Sequence, residues 1–184
     1  MTGSAYRPFC IGKYNGKPLA RVSFYEDHIV AVHHNDSGGK ELSFGVETSP
    51  TPVAFDESLV GKTITGIAYV KSDYCLVIFT DGGIYALYHK TSGLESVYLE
   101  SVNSHYTFLL DRKVLEAHDK SAEGGRVRGE CGATGYTYTH TFYTIRTLTD
   151  TVRLCWYGTS MGFSSEEPEL YSYSPAVCRQ CADN

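Results

Sequence analysis

The sequence predicts a single mainly β domain, built as an antiparallel β-sandwich or a partly open barrel with one or two short helices. Three observations lead to this prediction. The segment 135–166 is the longest run of β-branched and aromatic residues, which favour pleated structure. Turn signals recur about every 8–12 residues, the spacing expected of short antiparallel strands. No internal repeat is visible, which argues against a propeller or a solenoid.

The composition is that of an ordinary globular chain of 184 residues, long enough for one domain with a real core. Tyrosine stands out with 15 residues, and its apolar ring and polar tip suit half-buried sheet faces and binding surfaces. A formal net charge of −5 argues against a nucleic-acid partner, which usually meets a basic stripe. The sequence contains no membrane-spanning apolar run and no signal core, so we expect a cytosolic chain with reduced thiols.

The first third of the chain, 1–55, is predicted to be an N-terminal extension of the main body. Its elements in order are irregular residues 1–20, two strands within 21–32 around a turn at Glu26-Asp27, a polar loop at 33–39, a short strand at 42–46 and a linker at 48–52. Gly and Pro mark the irregular stretch, and the two linker prolines end the extension because proline cannot continue a strand ladder.

The core, 59–167, is predicted to begin with regular strands. Its first elements are strands at 62–70, 75–80 and 84–89, a strand or helix start at 96–102, a helical turn at 105–111, a strand at 113–118 and a Gly-rich loop at 119–132. Asp81-Gly82-Gly83 is a hairpin signal, because glycine tolerates positive φ. A Tyr/Ser-rich tail follows the core at 168–184.

The segment 135–166 is predicted to form a long antiparallel hairpin on which the rest of the chain packs. Its turn is expected at Leu148–Thr151, and a loop is expected at 158–162. The two-residue period of a strand places Arg153 and Tyr157 on one face. Trp156 lies on the other face, which predicts that Trp156 belongs to the core.

Any binding site is expected on the face opposite Trp156, extended by the loop. The residues concerned are His140, Arg153, Tyr157, Gly158, Ser160 and Gly162. Arginine offers a planar fork for phosphate or carboxylate, tyrosine a stacking face, and glycine a close approach of the backbone. His140 joins the set in some registers of the hairpin. The alternative is an exposed sheet face that binds nothing.

Cys178-x-x-Cys181 has the spacing of a zinc knuckle, which needs two further ligands. Cys75 and Cys155 lie inside strand patterns, where a free cysteine behaves as a small apolar group. A structural zinc site would therefore use Cys10, Cys131, Cys178 and Cys181. The alternative is a tail with ordinary thiols. A redox dithiol is disfavoured, because no βαβ pattern surrounds the motif.

Catalytic motifs are missing from the sequence. Glu95 and Glu100 fall on opposite faces of the predicted strand at 96–102, so they make a poor acid–base pair. There is no phosphate-binding glycine loop, no Gly-x-Ser-x-Gly and no His-Glu-x-x-His. We therefore expect a non-enzymatic protein rather than a hydrolase of unknown substrate.

Several blocks resemble a family of small uncharacterised bacteriophage and prophage proteins over about 59–167. The blocks are 59–67, Tyr88-His89 with 95–100, 141–143, 152–158 and 160–166. The chain departs from that family by its N-terminal extension and by Gly93-Leu94. The resemblance implies a phage origin and a location in the host cytoplasm, and it implies no catalytic residues.

Three function classes follow. The first is a phage-encoded binding protein that inhibits a host protein, such as a component of a defence system. The second is a protein that sequesters a small nucleotide-like ligand, and the third is a small hydrolase. The tyrosine-rich β surface, the acidic charge, the missing catalytic motifs and the resemblance favour the first.

Overall fold

The computed structural model describes residues 7–33, 50–91, 95–127, 135–161 and 165–173. Over these parts the chain is mainly β, as predicted, with antiparallel sheets and few helical turns. The strands are β1 (Phe9–Tyr14), β2 (Lys17–Tyr25), β3 (His28–His33), β4 (Thr51–Pro52), β5 (Thr63–Val70), β6 (Cys75–Thr80), β7 (Gly83–Tyr88), β8 (Ser96–Val102), β9 (Arg112–Lys113), β10 (Glu116–Val127), β11 (Tyr136–Arg146), β12 (Thr151–Ser160) and β13 (Glu169–Tyr173). One short helix, α1, spans Phe55–Leu59, and 3-10 turns span Lys71–Asp73 and Tyr106–Leu109.

The strands form two sheets. The larger one, called the curled sheet, has the order β3-β2-β1-β5-β6-β7-β13-β4, with β9 also paired to β5. The smaller one, called the four-stranded sheet, has the order β10-β11-β12-β8. The predicted hairpin at 135–166 forms its centre, and its turn lies between Arg146 and Thr151 as expected.

The inner face of the four-stranded sheet packs on one face of the curled sheet, as in a β-sandwich. Trp156 is fully buried there, with its ring centroid 6.4 Å from that of Tyr69. This confirms that Trp156 belongs to the core. Other members of this core are Ile64, Ile67, Leu76, Ile78, Leu87, Leu99, Ile145, Val152 and Leu154.

A second core lies inside the curl, where the β2–β3 hairpin folds over β6, β7 and β13. Phe24 packs 4.7 Å from Tyr88 and 6.4 Å from Tyr173, measured between ring centroids. The Tyr173 hydroxyl donates a hydrogen bond to the Glu26 carbonyl at 3.1 Å. The curled sheet is therefore a half-barrel, and β6 is buried on both faces. Its continuous apolar sequence is typical of such a strand.

The prediction of irregular structure for 1–20 is wrong over its described part, because β1 pairs with β5 and β2 begins at Lys17. Gly12 explains the error. It has φ +91°, and a Cβ atom there would overlap the Thr65 carbonyl oxygen. The glycine therefore allows two backbones to approach closely within a strand.

The prediction of a Gly-rich loop at 119–132 is also wrong as far as Val127, because β10 continues to that residue and pairs with β11. The register shifts between Glu123 and Gly125, which marks a β-bulge. β10 is an edge strand, and edge strands tolerate polar residues, glycine and bulges. In the predicted tail, β13 instead pairs with both β7 and β4.

The linker predicted at 48–52 is wrong at its end, because Thr51–Pro52 forms β4 at the edge of the curled sheet, where a strand tolerates proline. The strand predicted at 113–118 is divided between β9 and the start of β10. The segment 96–102 is a strand and not a helix, and the turn at Glu26-Asp27 joins β2 to β3. The strand predicted at 42–46 and most of the loop at 33–39 lie outside the described residues. Among the described residues, no helix has the length and apolar character required to cross a bilayer.

Candidate functional site on the outer face of the four-stranded sheet

Aromatic rings cover the outer face of the four-stranded sheet. His140 on β11 pairs with Tyr157 on β12, and Tyr157 pairs with Tyr98 on β8, so three rings lie in a row across the strands. The Tyr157 ring centroid lies 5.2 Å from that of His140 and 5.7 Å from that of Tyr98. We call this surface the aromatic face. It consists of Tyr98, Glu100, Tyr138, His140, Phe142, Arg153, Cys155 and Tyr157.

Two residues extend the face at its borders. Tyr74 follows the 3-10 turn between β5 and β6 in a left-handed conformation, with φ 47° and ψ 44°, which bulky residues rarely adopt. Its ring lies 5.9 Å from that of Tyr98. At the opposite border the Arg153 guanidinium lies 5.6 Å from the centroid of the Phe142 ring. The aromatic face therefore runs from an exposed tyrosine to an exposed arginine.

Three polar side chains converge at the centre of the aromatic face. The Glu100 carboxylate oxygen Oε2 lies 3.5 Å from His140 Nε2, and the Cys155 thiol donates to the same oxygen at 3.6 Å. The side chains of Glu100 and His140 are 36% and 31% exposed, and Cys155 is half-buried. The three can reach a ligand and are still held by the sheet.

Glu100 lies at a β-bulge in β8. Cys155 pairs with Ser101 and Trp156 pairs with Leu99, so Glu100 is an extra residue opposite β12. Bulges of this kind redirect side chains and are common beside functional sites. The two-residue period already places Glu100 on the face of Tyr98, and the bulge leaves it as an extra residue beside the Cys155 thiol.

Burial dominates the environment of the thiol at this centre. Burial, followed by the negative charge of Glu100, raises the pKa of Cys155 to about 11. The hydrogen-bond partner of the thiol is a carboxylate and not an imidazole. Cysteine nucleophiles usually have a lowered pKa, which is the opposite of the shift at Cys155.

The structure brings together only part of the predicted binding residues. His140 and Tyr157 are in contact, and Arg153 lies on the same face near Phe142. Gly158 and Ser160 belong to β12 and are buried on the inner face, so the loop expected at 158–162 begins later than predicted. Gly162 lies outside the described residues.

Gly158 and Ser160 instead help to hold Glu166. The Glu166 carboxylate is buried and accepts hydrogen bonds from Ser160 Oγ at 2.6 Å, from Thr139 Oγ1 at 2.8 Å and from Thr137 Oγ1. A Cβ atom at Gly158 would overlap the Glu166 backbone. These residues fix the chain path between the sheets and do not face a ligand on the aromatic face.

The predicted zinc ligands are only partly described. Cys10 lies half-buried in β1, where burial raises the pKa of its thiol to about 11. Cys131, Cys178 and Cys181 lie outside the described residues, so the four-cysteine site stays a prediction.

One further carboxylate, Glu95, and two clefts lie away from the aromatic face. The buried Glu95 carboxylate contacts His89 at 3.3 Å, so Glu95 and Glu100 belong to different clusters. One cleft of about 400 Å³ is lined by Pro52–Phe55, Asp119, Tyr143 and 167–170. A second cleft of about 400 Å³ is lined by Pro8–Cys10, Ala20–Val22 and Ala68–Ser72.

Sequence reasoning missed the central residues of the face for two different reasons. Cys155 lies between Arg153 and Tyr157 at the period of two, so the strand pattern already placed it outside, although it was expected to be buried. The same period placed Glu100 on the face of Tyr98, but its approach to Cys155 and His140 depends on the pairing of β8 with β12, which no local pattern encodes.

One family model matches residues 57–170, which is more than half of the chain, and its description is "Domain of unknown function (DUF7448)". The matched segment contains β5 to β12 and so carries the whole aromatic face. No curated protein and no solved structure matches the chain. The chain therefore belongs to the DUF7448 family.

Proposed function

We propose that this chain is a non-enzymatic binding protein that contacts a protein partner through the aromatic face. The observation that carries the proposal is the continuous set of rings on the outer side of the four-stranded sheet. Tyr138 and Tyr157 are partly exposed and belong to neither hydrophobic core, and the buried Tyr98 supports the ring of Tyr157 from β8. Tyrosine and arginine are the residues that most often dominate the binding energy of protein interfaces.

A protein partner suits the shape of this surface better than a small molecule. The aromatic face is spread over three strands, whereas small-molecule sites are concave. The two clefts described above have other linings. The raised pKa of the Cys155 thiol supports binding over nucleophilic catalysis.

The resemblance to bacteriophage and prophage proteins supports a bacterial host protein as the partner. A component of a host defence system in the host cytoplasm is the partner class that fits this resemblance. The proposal thus has two parts that can be tested separately, namely the surface used and the identity of the partner.

A second candidate, the binding of a small nucleotide-like ligand, is favoured by one observation. The Arg153 guanidinium lies beside the rings of the face, and this pairing offers a fork for phosphate next to stacking surfaces. Both candidates use the same residues, so the experiment has to identify the bound molecule.

The test is affinity purification of the tagged chain from bacterial cells, with quantitative mass spectrometry of proteins and native mass spectrometry of small molecules. Tyr157→Ala and Arg153→Ala alter the aromatic face. Tyr25→Ala and Arg112→Ala are matched controls at exposed positions on the curled sheet.

We expect a protein that co-purifies with the wild type and with both controls but is depleted with the two face variants. Arg153→Ala should change the free energy of unfolding by no more than ~0.5 kcal/mol, as is usual at the surface. It should weaken binding by ~1.5–3 kcal/mol where the guanidinium meets an anionic group. Equal recovery with all four variants would reject the aromatic face. A small-molecule adduct lost in Arg153→Ala would establish the second candidate.

A further inference from the structure

We propose that Glu100, His140 and Cys155 form a binding site for zinc or a similar soft divalent cation. The carboxylate oxygen, the imidazole nitrogen and the thiol sulfur all lie within 4.8 Å of one another. The proposal depends on these three side chains and not on the protein partner proposed above.

The distances already approach those of a zinc site. Zinc bonds of about 2.0–2.3 Å in a tetrahedron place the ligand atoms about 3.3–3.5 Å apart. Glu100 Oε2 lies 3.5 Å from His140 Nε2 and 3.6 Å from Cys155 Sγ. The sulfur-to-nitrogen separation lies within 4.8 Å, and rotation of the partly exposed His140 ring can bring the nitrogen closer to the sulfur.

The donor set selects the class of metal. Thiolate and imidazole favour zinc and its neighbours among the transition metals, whereas magnesium and calcium prefer oxygen ligands. On binding, the thiol proton leaves to solvent and a sulfur–metal bond forms. The thiolate and the Glu100 carboxylate then balance the two positive charges of the ion. Three protein ligands leave a fourth position for water or for a donor atom of another molecule.

Several features of the sheet hold the three ligands in place. His140 and Cys155 lie on the two strands of the central hairpin, and the bulge in β8 adds Glu100 from the other side. The His140 ring packs at 5.2 Å from that of Tyr157 and at 6.3 Å from that of Phe142. These neighbouring rings pack around the imidazole, as outer-shell residues do at known metal sites.

One cation lies near the site and acts on metal binding in two opposing ways. Arg153 is two residues before Cys155 on the same face, close enough for its positive charge to lower the pKa of the thiol. The same charge repels a divalent cation, so the two effects offset each other, and Arg153→Ala should change zinc affinity far less than loss of a ligand does. The same change should weaken the binding of the protein partner, so Arg153→Ala separates the two proposals.

Zinc binding is to be measured in full-length protein that carries Cys131→Ser, Cys178→Ser and Cys181→Ser. This background removes the other predicted zinc ligands. Affinity is obtained by competition with a chromophoric chelator, and Co²⁺ is used as a spectroscopic probe for a thiolate-to-cobalt charge-transfer band. The added variants are Cys155→Ser, His140→Gln, Glu100→Gln, Arg153→Ala and, as a matched thiol control, Cys10→Ser.

The background protein should bind one Zn²⁺ per chain and show the cobalt band. Changes outside the ligand shell alone weaken metal binding by ~10–100-fold, so loss of a ligand in Cys155→Ser should cost more than about a hundredfold. The band should disappear in Cys155→Ser and persist in Cys10→Ser. His140→Gln and Glu100→Gln should weaken binding in the same direction. Circular dichroism checks that each variant is folded.

A background protein that binds no zinc would overturn the proposal. So would undiminished binding in Cys155→Ser, or a cobalt band that disappears only in Cys10→Ser. If Cys155→Ser does not fold, His140→Gln and Glu100→Gln decide the question, because their side chains are about one-third exposed on the outer face. Equal zinc affinity in both of these variants and in the background would then reject the site.

Discussion

Glu166 shows how one side chain can fix the path of the chain between two sheets. Its carboxylate is buried among three hydroxyl groups on the inner side of β11 and β12. The next two residues are also held, because the Glu167 carbonyl contacts His89 Nδ1 at 3.0 Å and the Pro168 carbonyl accepts the Tyr143 hydroxyl at 2.6 Å. These contacts anchor the segment that leads from β12 to β13.

We predict that Glu166→Ala lowers the free energy of unfolding by ~2–4 kcal/mol, because it leaves buried hydroxyls without their acceptor. Glu166→Gln keeps one acceptor oxygen and should lose about half as much. Urea denaturation followed by fluorescence measures both variants. A midpoint for Glu166→Ala equal to that of the wild type would show that the carboxylate does not hold this segment.

At the residue scale, the sequence predicts faces better than partners. The period of two correctly separated Arg153 and Tyr157 from Trp156, because strand alternation is a local property. Ser160 was expected to face a ligand and is 1% exposed, bonded to Glu166. Its partner, Glu166, lies after the end of β12 and is not part of the strand pattern. The contact forms because the chain returns toward β13, which no local pattern encodes.

At the element scale, β1 depends on a close approach to β5 at Gly12. A Cβ atom there would meet both the Thr65 carbonyl and the Gly66 Cα, and φ is +91°. Gly16 is the matched control, because it has φ +75° and open space around it. An alanine at either position would have to adopt a positive φ, which costs free energy. Only at Gly12 would its Cβ atom also overlap neighbouring atoms.

Gly12→Ala should therefore destabilise the protein by at least ~2 kcal/mol more than Gly16→Ala, for which only the left-handed conformation costs ~1–2 kcal/mol. Thermal unfolding of both variants measures the difference. Equal losses would mean that β1 can move away from β5 without penalty.

The errors in element prediction have a common physical cause. Glycine and polar residues indicated loops at 1–20 and 119–132, but β1 needs its glycine for close packing and β10 is an edge strand. Long apolar or β-branched strands such as β6 and β11 were predicted correctly, because their burial is visible in their composition. The pairing of β8 with β12 was not predictable, since it joins segments far apart in the chain.

At the scale of the whole molecule, two cores share the curled sheet, so the predicted sandwich and the partly open barrel are both present. Many ionisable groups are buried between these layers. Burial raises the pKa of Cys10 to about 11, and it raises the pKa values of the Cys75 thiol and the Tyr143 hydroxyl well above their usual range.

Stability should therefore fall at alkaline pH. Unfolded thiols and phenols lose their protons near pH 8.5 and 10, before the buried groups of the folded protein do, so the unfolded state binds fewer protons. The free energy of unfolding should be constant below about pH 8 with respect to these groups and should decrease between about pH 9 and 11. Urea midpoints across this range measure the slope, and Tyr143→Phe should make it shallower. A flat profile would contradict the burial of these groups.

The central claim is that the aromatic face is the binding surface, and the most direct test is the affinity of the purified partner for Tyr157→Ala and Tyr25→Ala. Tyr157 lies in the centre of the face, and Tyr25 is a 51% exposed tyrosine on the β2–β3 hairpin. Calorimetric titration should show a loss of more than about tenfold for Tyr157→Ala, the scale of an interface hot spot, and no more than about twofold for Tyr25→Ala. Equal affinities, or a larger loss for Tyr25→Ala, would contradict the account.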